Sequence, residues 1–86
     1  MDFIKVGKII DYSDETHLAI FKINTEESIK EGDYVRIGEF GSGLMQQIGS
    51  MEKDNEEVRA AFSGQKVGLR VSRPVNLGDC VYKASN

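Results

Sequence analysis

Several residue types that carry chemistry or stabilise small secreted domains are almost missing from this sequence. Its 86 residues include one cysteine, one histidine, one proline and no tryptophan. A lone Cys80 excludes an internal disulfide, and a lone His17 has no second histidine or paired cysteine with which to form a zinc site. We therefore expect no metal and no cofactor, and we interpret His17 as a turn residue and Cys80 as a small core residue.

Long apolar segments and an excess of basic residues are also lacking. No apolar run approaches the ~20 residues of a membrane span, and residues 1–5 do not have the composition of a signal peptide. Both features favour a cytoplasmic protein. The net charge is −3, with −4 in residues 1–43 and +1 in residues 44–86. A typical nucleic-acid binder is basic, so this chain could bind nucleic acid only through a local patch.

The residues that are present predict a globular all-β domain. Hydrophobic residues make up 40% and charged residues 29% of the chain, which is typical of a folded protein, and we expect one domain over residues 1–86. Val67, Leu69 and Val71 alternate with polar or small residues, as in a half-buried strand. Strands are predicted over 3–10, 18–23, 34–38, 44–51, 58–62, 67–71 and 80–82, with loops at 11–17, 24–32, 39–43 and 52–57.

A Gly-Asp turn occurs twice in the same form. Gly32-Asp33 precedes Tyr34-Val35, and Gly78-Asp79 precedes Cys80-Val81. Glycine adopts the positive φ of a tight turn and aspartate bonds the nearby backbone, so each pair predicts a turn into a strand. Turn signals recur about every 8–12 residues, which indicates a β-sandwich or β-barrel.

With these turns in place, residues 46–51 and 58–71 resemble the second domain of translational GTPases such as elongation factor Tu. The shared pattern is a strand ending in Ser-Met, a polar loop, and then Ala-x-x-Gly-x-x-Val-Gly-Leu, here in residues 61–69. Residues 29–37 are similar to that domain's Ile-Lys-x-Gly-Asp-x-Val-x-Ile. The resemblance implies a small closed antiparallel β-barrel of six to seven strands, a stand-alone translation elongation factor-like protein.

The resemblance implies binding rather than catalysis. In those factors GTP is bound by a separate domain whose phosphate loop has no counterpart here, so no GTP binding is expected. Their barrel contacts the aminoacyl end of tRNA, the ribosome and exchange factors, but acidic residues 11–16 stand where the family often has a Gly-Arg-Gly-Thr-like segment. Similar barrels are also appended to collagenase-like peptidases involved in RNA modification.

Four basic residues are the candidate binding site: Arg36, Lys66, Arg70 and Arg73. If Val67, Leu69 and Val71 point inward, Lys66 and Arg70 share the outer face, with Arg73 just beyond and Arg36 on a strand that could neighbour them. Arginine suits phosphate recognition. The alternative is a solvated face with surface ion pairs. Tyr34 and Tyr82 could stack bases or pack at the edge of the core.

These observations lead to two hypotheses for a chain that has no catalytic constellation and is not predicted to be an enzyme. The first is a module that binds RNA or a ribonucleoprotein, related to translation or RNA modification. The second is a protein–protein interaction module that partners a separate enzyme chain.

Overall fold

A computed structural model describes residues 2–39 and 41–85 of the chain. Phe40, within the predicted 39–43 loop, lies outside the described residues, as do Met1 and Asn86. The described residues form ten strands and no helix, so none of them belongs to a helix that could cross a membrane. The strands are β1 Asp2–Ser13, β2 Leu18–Lys22, β3 Ile29–Lys30, β4 Tyr34–Ile37, β5 Leu44–Gln47, β6 Met51–Lys53, β7 Glu56–Val58, β8 Ala60–Ala61, β9 Lys66–Arg70 and β10 Cys80–Ser85.

Eight of the strands form one strongly curled antiparallel sheet. Their order is β5-β4-β10-β1-β2-β9-β6-β7, and β3 pairs with β8 beside it. We call β5, β4, β10 and residues 2–8 of β1 the front half of the sheet. The rear half consists of residues 9–13 of β1 with β2, β9, β6 and β7.

Strand β1 belongs to both halves and turns the sheet from one into the other. Residues 2–8 pair with β10 and residues 9–13 pair with β2, with register shifts between Lys5 and Gly7 and between Ile9 and Asp11. Each shift is a bulge, which bends a strand and increases its twist. At Gly7 the backbone lies so close to β2 that an added Cβ would be 2.4 Å from the Lys22 carbonyl oxygen. Only glycine fits this crossing.

The concave side of the sheet encloses one apolar core. Val67, Leu69 and Val71 are buried while Lys66 and Arg70 are exposed, which confirms the alternation predicted from the sequence. Ile29 is fully buried as well. Each such side chain contributes about 1.5–3 kcal/mol when it leaves water. The largest fully buried side chains are Phe21, Ile9, Ile23, Ile29, Ile37, Met51 and Leu69.

The sheet is a half-barrel, so the prediction of a closed barrel of six to seven strands was wrong, although its all-β class is confirmed. The outermost strands are β5 and β7, and no backbone ladder joins β5 to β9 within the described residues. The side-chain amide of Gln46 bridges the gap instead. Its Nε2 donates to the Arg70 carbonyl at 2.8 Å and its Oε1 accepts from the Ser72 amide at 2.9 Å.

One predicted loop forms strands for a local reason. The predicted loop at 52–57 is a hairpin, because Asp54 and Asn55 take positive φ values of 53° and 65° and form a two-residue turn between β6 and β7. Asparagine and aspartate tolerate this conformation better than other residues. Gly49, between β5 and β6, faces open space, with nothing within 4 Å of an added Cβ.

Replacing Gly7 with alanine should destabilise the fold by about 2–3 kcal/mol, because the new methyl group overlaps the backbone of β2. Gly49→Ala is the matched control, and it should range from neutral to about 1 kcal/mol stabilising. Urea unfolding followed by circular dichroism measures both variants. Equal unfolding midpoints would contradict the role given to Gly7.

Replacing Gln46 with alanine should cost about 1–2 kcal/mol, because two hydrogen bonds across the gap are lost at once. The neighbouring Gln47, whose amide donates a single bond to the Gly32 carbonyl at 3.0 Å, supplies the comparison. Gln47→Ala should cost at most about half as much. A Gln46 variant no less stable than the Gln47 variant would show that the bridge does not hold the half-barrel together.

Candidate functional site

The four basic residues predicted from the sequence do not lie together. Arg36 is on β4 in the front half, whereas Lys66 and Arg70 are on β9 in the rear half, and Arg73 follows β9. Strand β4 pairs with β10 and β5 and not with β9. Arg36, Lys66 and Arg73 each line a different depression of the surface, and Arg70 lines two others.

Arg70 and Arg73 form hydrogen bonds within the fold. Arg70 donates to the Thr16 carbonyl at 2.9 Å and forms an ion pair with Glu52 at 3.2 Å. Arg73 donates to the Gly43 carbonyl at 3.0 Å. A ligand that used either guanidinium would compete with these bonds. Lys66 is exposed on the outer face and pairs in register with Lys22.

The outer face of the front half has a different composition. Val35, Ile37 and Val81 are buried, so the alternate residues of β4 and β10 point outward. The pairing registers of β5, β4, β10 and β1 place four outward side chains side by side in one row across the sheet. This row runs Met45, Arg36, Tyr82, Lys5, from β5 through β4 and β10 to β1.

Arg36 is held at the centre of this face by two aromatic rings. Its guanidinium carbon lies 4.4 Å from the centroid of the Tyr82 ring and 5.1 Å from that of Phe3. Both distances are within the range of cation–π attraction. The side chain is also half-buried. Contact with the two rings therefore orients the guanidinium plane relative to the sheet.

Positive charge is concentrated on the same face. Lys5 and Lys8 are exposed on β1, and their side-chain ammonium groups make no hydrogen bond or ion pair with any described residue. No aspartate or glutamate points outward from the described strands of the front half, although the whole chain carries a net charge of −3. We define the basic aromatic face by its outward side chains: Phe3, Lys5, Lys8, Tyr34, Arg36, Met45 and Tyr82.

Large apolar groups on this face are unusually exposed. Tyr34 is 46% exposed and Met45 is 53% exposed. Tyr34 lies one position beyond the Val35–Lys83 pair, on the same side of β4 as Arg36. The strands therefore present three aromatic side chains, one thioether and three cations on one surface.

A depression of about 430 Å³ borders the face where β4 ends and β10 begins. Arg36 and Tyr82 line it together with the carboxylate-bearing Glu39 and Asp79 and with Cys80. Cys80 is half-buried on the outer side of β10, and Val81 takes the core position, so the prediction of Cys80 as a core residue was off by one residue. No group of acidic, histidine or cysteine side chains in residues 2–39 and 41–85 could hold a metal ion.

Sequence reasoning identified Arg36, Tyr34 and Tyr82 but did not bring them together. It missed Phe3, Lys5, Lys8 and Met45 as neighbours of Arg36. Phe3 and Lys5 are two positions apart in the first predicted strand, so the sequence could have placed both on the same face of that strand. What it could not supply was the pairing of β1 with β10, strands that lie at opposite ends of the chain.

Comparison with known structures identifies the fold. The chain is similar to the C-terminal domain of a protein from Geobacillus thermoleovorans classed as a U32 peptidase, with a TM-score of 0.79 and 23% identity over 93% of this chain and 91% of that domain. A selenomethionine variant of the C-terminal domain gives a TM-score of 0.78 and 23% identity over 91% of this chain and 96% of the other. No protein-family model matches the chain, and a search of curated proteins gave no match.

These neighbours correct the family resemblance drawn from the sequence. They are C-terminal domains of a U32 peptidase and not second domains of translational GTPases, so that resemblance was wrong. The residues that suggested it are largely turn chemistry. Gly32 and Gly78 both have positive φ, near 90°, and a Gly-Asp turn into a strand serves any curled antiparallel sheet.

Replacing Arg36 with lysine should destabilise the protein by about 1 kcal/mol, because an ammonium group cannot stack between two rings as a planar guanidinium does. For a domain of this size that corresponds to a melting temperature lower by about 4–8 °C. Arg59→Lys is the control, since the Arg59 side chain is 94% exposed and should tolerate the change. Thermal unfolding that is identical for the two variants would contradict a structural role for the aromatic sandwich.

Proposed function

We propose that this chain is a non-catalytic RNA-binding module and that it binds RNA through the basic aromatic face. The observation that carries the proposal is the joint presence of three cations and three aromatic side chains on one sheet surface that bears no outward carboxylate. Cations attract phosphates, and aromatic rings stack on bases. The proposal rests on this geometry alone and not on any family.

The charge distribution supports this assignment. A chain with a net charge of −3 repels a polyanion as a whole, so binding requires a local surface of opposite sign. Lys5 and Lys8 are free of ion pairs within the described chain, so no internal bond must break for them to meet phosphates. Of the four residues predicted from sequence, Arg36 stays at the centre of the proposed site, while Lys66, Arg70 and Arg73 lie away from it.

Two further features belong to the proposal. The module acts without chemistry of its own, and the described residues contain no group of three or more acidic, histidine or cysteine side chains that could hold a metal ion. We place the module in the cytoplasm, because its single cysteine cannot form the internal disulfides that are typical of small secreted domains.

The second candidate function is a protein-interaction module that partners a separate enzyme chain. The similarity to a domain that belongs to a peptidase favours it. Tyr, Met and Arg are enriched at the centres of protein interfaces, so Tyr34, Met45 and Arg36 would serve as contacts in this case too. The two candidates differ in salt dependence, because an apolar interface is not weakened by salt as phosphate contacts are.

The deciding experiment is a backbone-amide NMR titration with total tRNA at low and high salt. We expect shifts at Lys5, Lys8, Arg36 and Tyr82 that vanish at high salt. The logarithm of affinity should fall with the logarithm of salt concentration with a slope of about −2, for three phosphates neutralised on a single strand. A spectrum that stays unchanged at low salt would overturn RNA binding and leave the protein-interaction candidate.

A matched pair of lysine variants locates the site. Lys5→Ala and Lys66→Ala each remove one exposed strand cation, from the front and rear faces respectively. We expect only Lys5→Ala to weaken binding and to reduce the salt slope by about 0.7. Loss on Lys66→Ala instead would move the site to the basic set predicted from sequence. A deoxyribose strand that binds as tightly as the matching RNA would overturn RNA as the ligand class.

A further inference from the structure

We infer that Met45 is a site of oxidation to methionine sulfoxide, and that the sulfoxide weakens the binding of RNA at the basic aromatic face. The second half of this inference rests on the proposed function and adds a redox control to it. The inference comes from the exposure of Met45 and from its position opposite Arg36.

The described residues carry three sulfur atoms in contrasting surroundings. Met45 is 53% exposed, whereas Met51 is fully buried in the core and Cys80 is half-buried. A reagent dissolved in water meets Met45 in the folded protein, but it meets Met51 only when the fold opens. Because exposure governs the oxidation of sulfur, the fold distinguishes two methionines that are only six residues apart in the sequence.

Met45 lies within the proposed binding surface. It is on β5, the outermost strand of the front half, in a register that places it opposite Arg36 on β4. Directly opposed side chains of paired strands have Cβ atoms about 4.5–5.5 Å apart. A ligand that extends along the row from Lys5 past Arg36 therefore meets the Met45 thioether next, as an apolar contact.

The oxidation needs a peroxide as its second reactant. A lone pair on the thioether sulfur attacks one oxygen of hydrogen peroxide, so that an S–O bond forms while the O–O bond breaks. The proton on the transferred oxygen passes to the departing hydroxide, which leaves as water. The sulfur loses two electrons and the peroxide gains them, and sulfoxide reductases reverse the change.

A sulfoxide alters what this surface offers to RNA. The side chain becomes polar, so it retains water where the thioether would release it on contact. Its oxygen also carries partial negative charge, on a surface whose described strands present no outward carboxylate. Both changes oppose the binding of a polyanion, and loss of this apolar contact corresponds to about three- to tenfold in affinity.

The first measurement locates the oxidised sulfur. The folded full chain is treated with hydrogen peroxide and then with dithiothreitol, which reduces a disulfide or sulfenic acid of Cys80 but not a sulfoxide. Trypsin cleaves after Arg36 and Lys53 and leaves Met45 and Met51 in one peptide, so tandem mass spectrometry compares them directly. We expect Met45 to react at least about tenfold faster in the folded chain and within about twofold of Met51 in urea. Equal rates in the folded chain would overturn the site.

The second measurement is fluorescence anisotropy with a labelled RNA hexanucleotide. We expect peroxide to lower the affinity about three- to tenfold and a methionine sulfoxide reductase to restore it. Met45→Leu keeps an apolar side chain of similar volume without the sulfur, so peroxide should leave its affinity unchanged. This variant also retains Met1 and Cys80 and therefore controls for their oxidation. Met51→Leu, which retains Met45, is the matched control and should lose affinity as the unmodified chain does.

The untreated chain tells two failures apart. An affinity that peroxide leaves unchanged, or that falls equally in Met45→Leu, would overturn the effect of Met45 oxidation but leave RNA binding in place. Absence of RNA binding before any treatment would overturn the proposed function and the redox control together.

Discussion

The architecture depends on the close crossing of two backbones at Gly7. An added Cβ at Gly7 would overlap the Lys22 carbonyl oxygen, and two residues later, at Ile9, β1 has changed its pairing partner from β10 to β2. The bulges on either side bend β1, so a single strand serves both halves of the sheet. The core forms inside this bend, which brings front residues such as Val35 and rear residues such as Leu69 into one apolar cluster.

The same bend separates two outer surfaces of unlike chemistry. On the rear face, Arg70 forms an ion pair with Glu52, while Lys22 and Lys66 lie opposite each other on β2 and β9. On the front face, the side chains of Lys5 and Lys8 form no ion pair with any described residue, and the Tyr82 and Phe3 rings lie against the guanidinium of Arg36. The total charge of the chain therefore says little about the charge of either surface.

The sequence predicts local structure here better than it predicts long-range structure. The period-two patterns around Val67 and Val35 and the turns at Gly32 and Gly78 follow from short-range sterics and burial, and the described structure contains them. Closure of the barrel was predicted wrongly, because it depends on whether β5 meets β9, and that is decided by a side-chain bridge from Gln46. No local pattern encodes such a contact across 24 residues.

The candidate site shows the same limit. Arg36 was predicted as a binding residue from its chemistry alone, and Tyr34 and Tyr82 were interpreted either as stacking surfaces or as residues at the edge of the core. Their grouping with Phe3 and Lys5 requires that strands from the two ends of the chain pair. The family resemblance was misleading for a related reason, because turn motifs report how a chain enters its strands and not how those strands are ordered.

The pairing of β1 with β10 also determines when the basic aromatic face comes into existence. Asp2 pairs with Ser85, and β10 lies between β1 and β4. While the chain is being synthesised, β1 and β2 can already pair, but the front surface must wait for residues 80–85. Closing so long a loop is slow and entropically costly. The surface is therefore a feature of the finished fold, and a ligand that binds only there would favour the completed chain over partly folded forms by mass action.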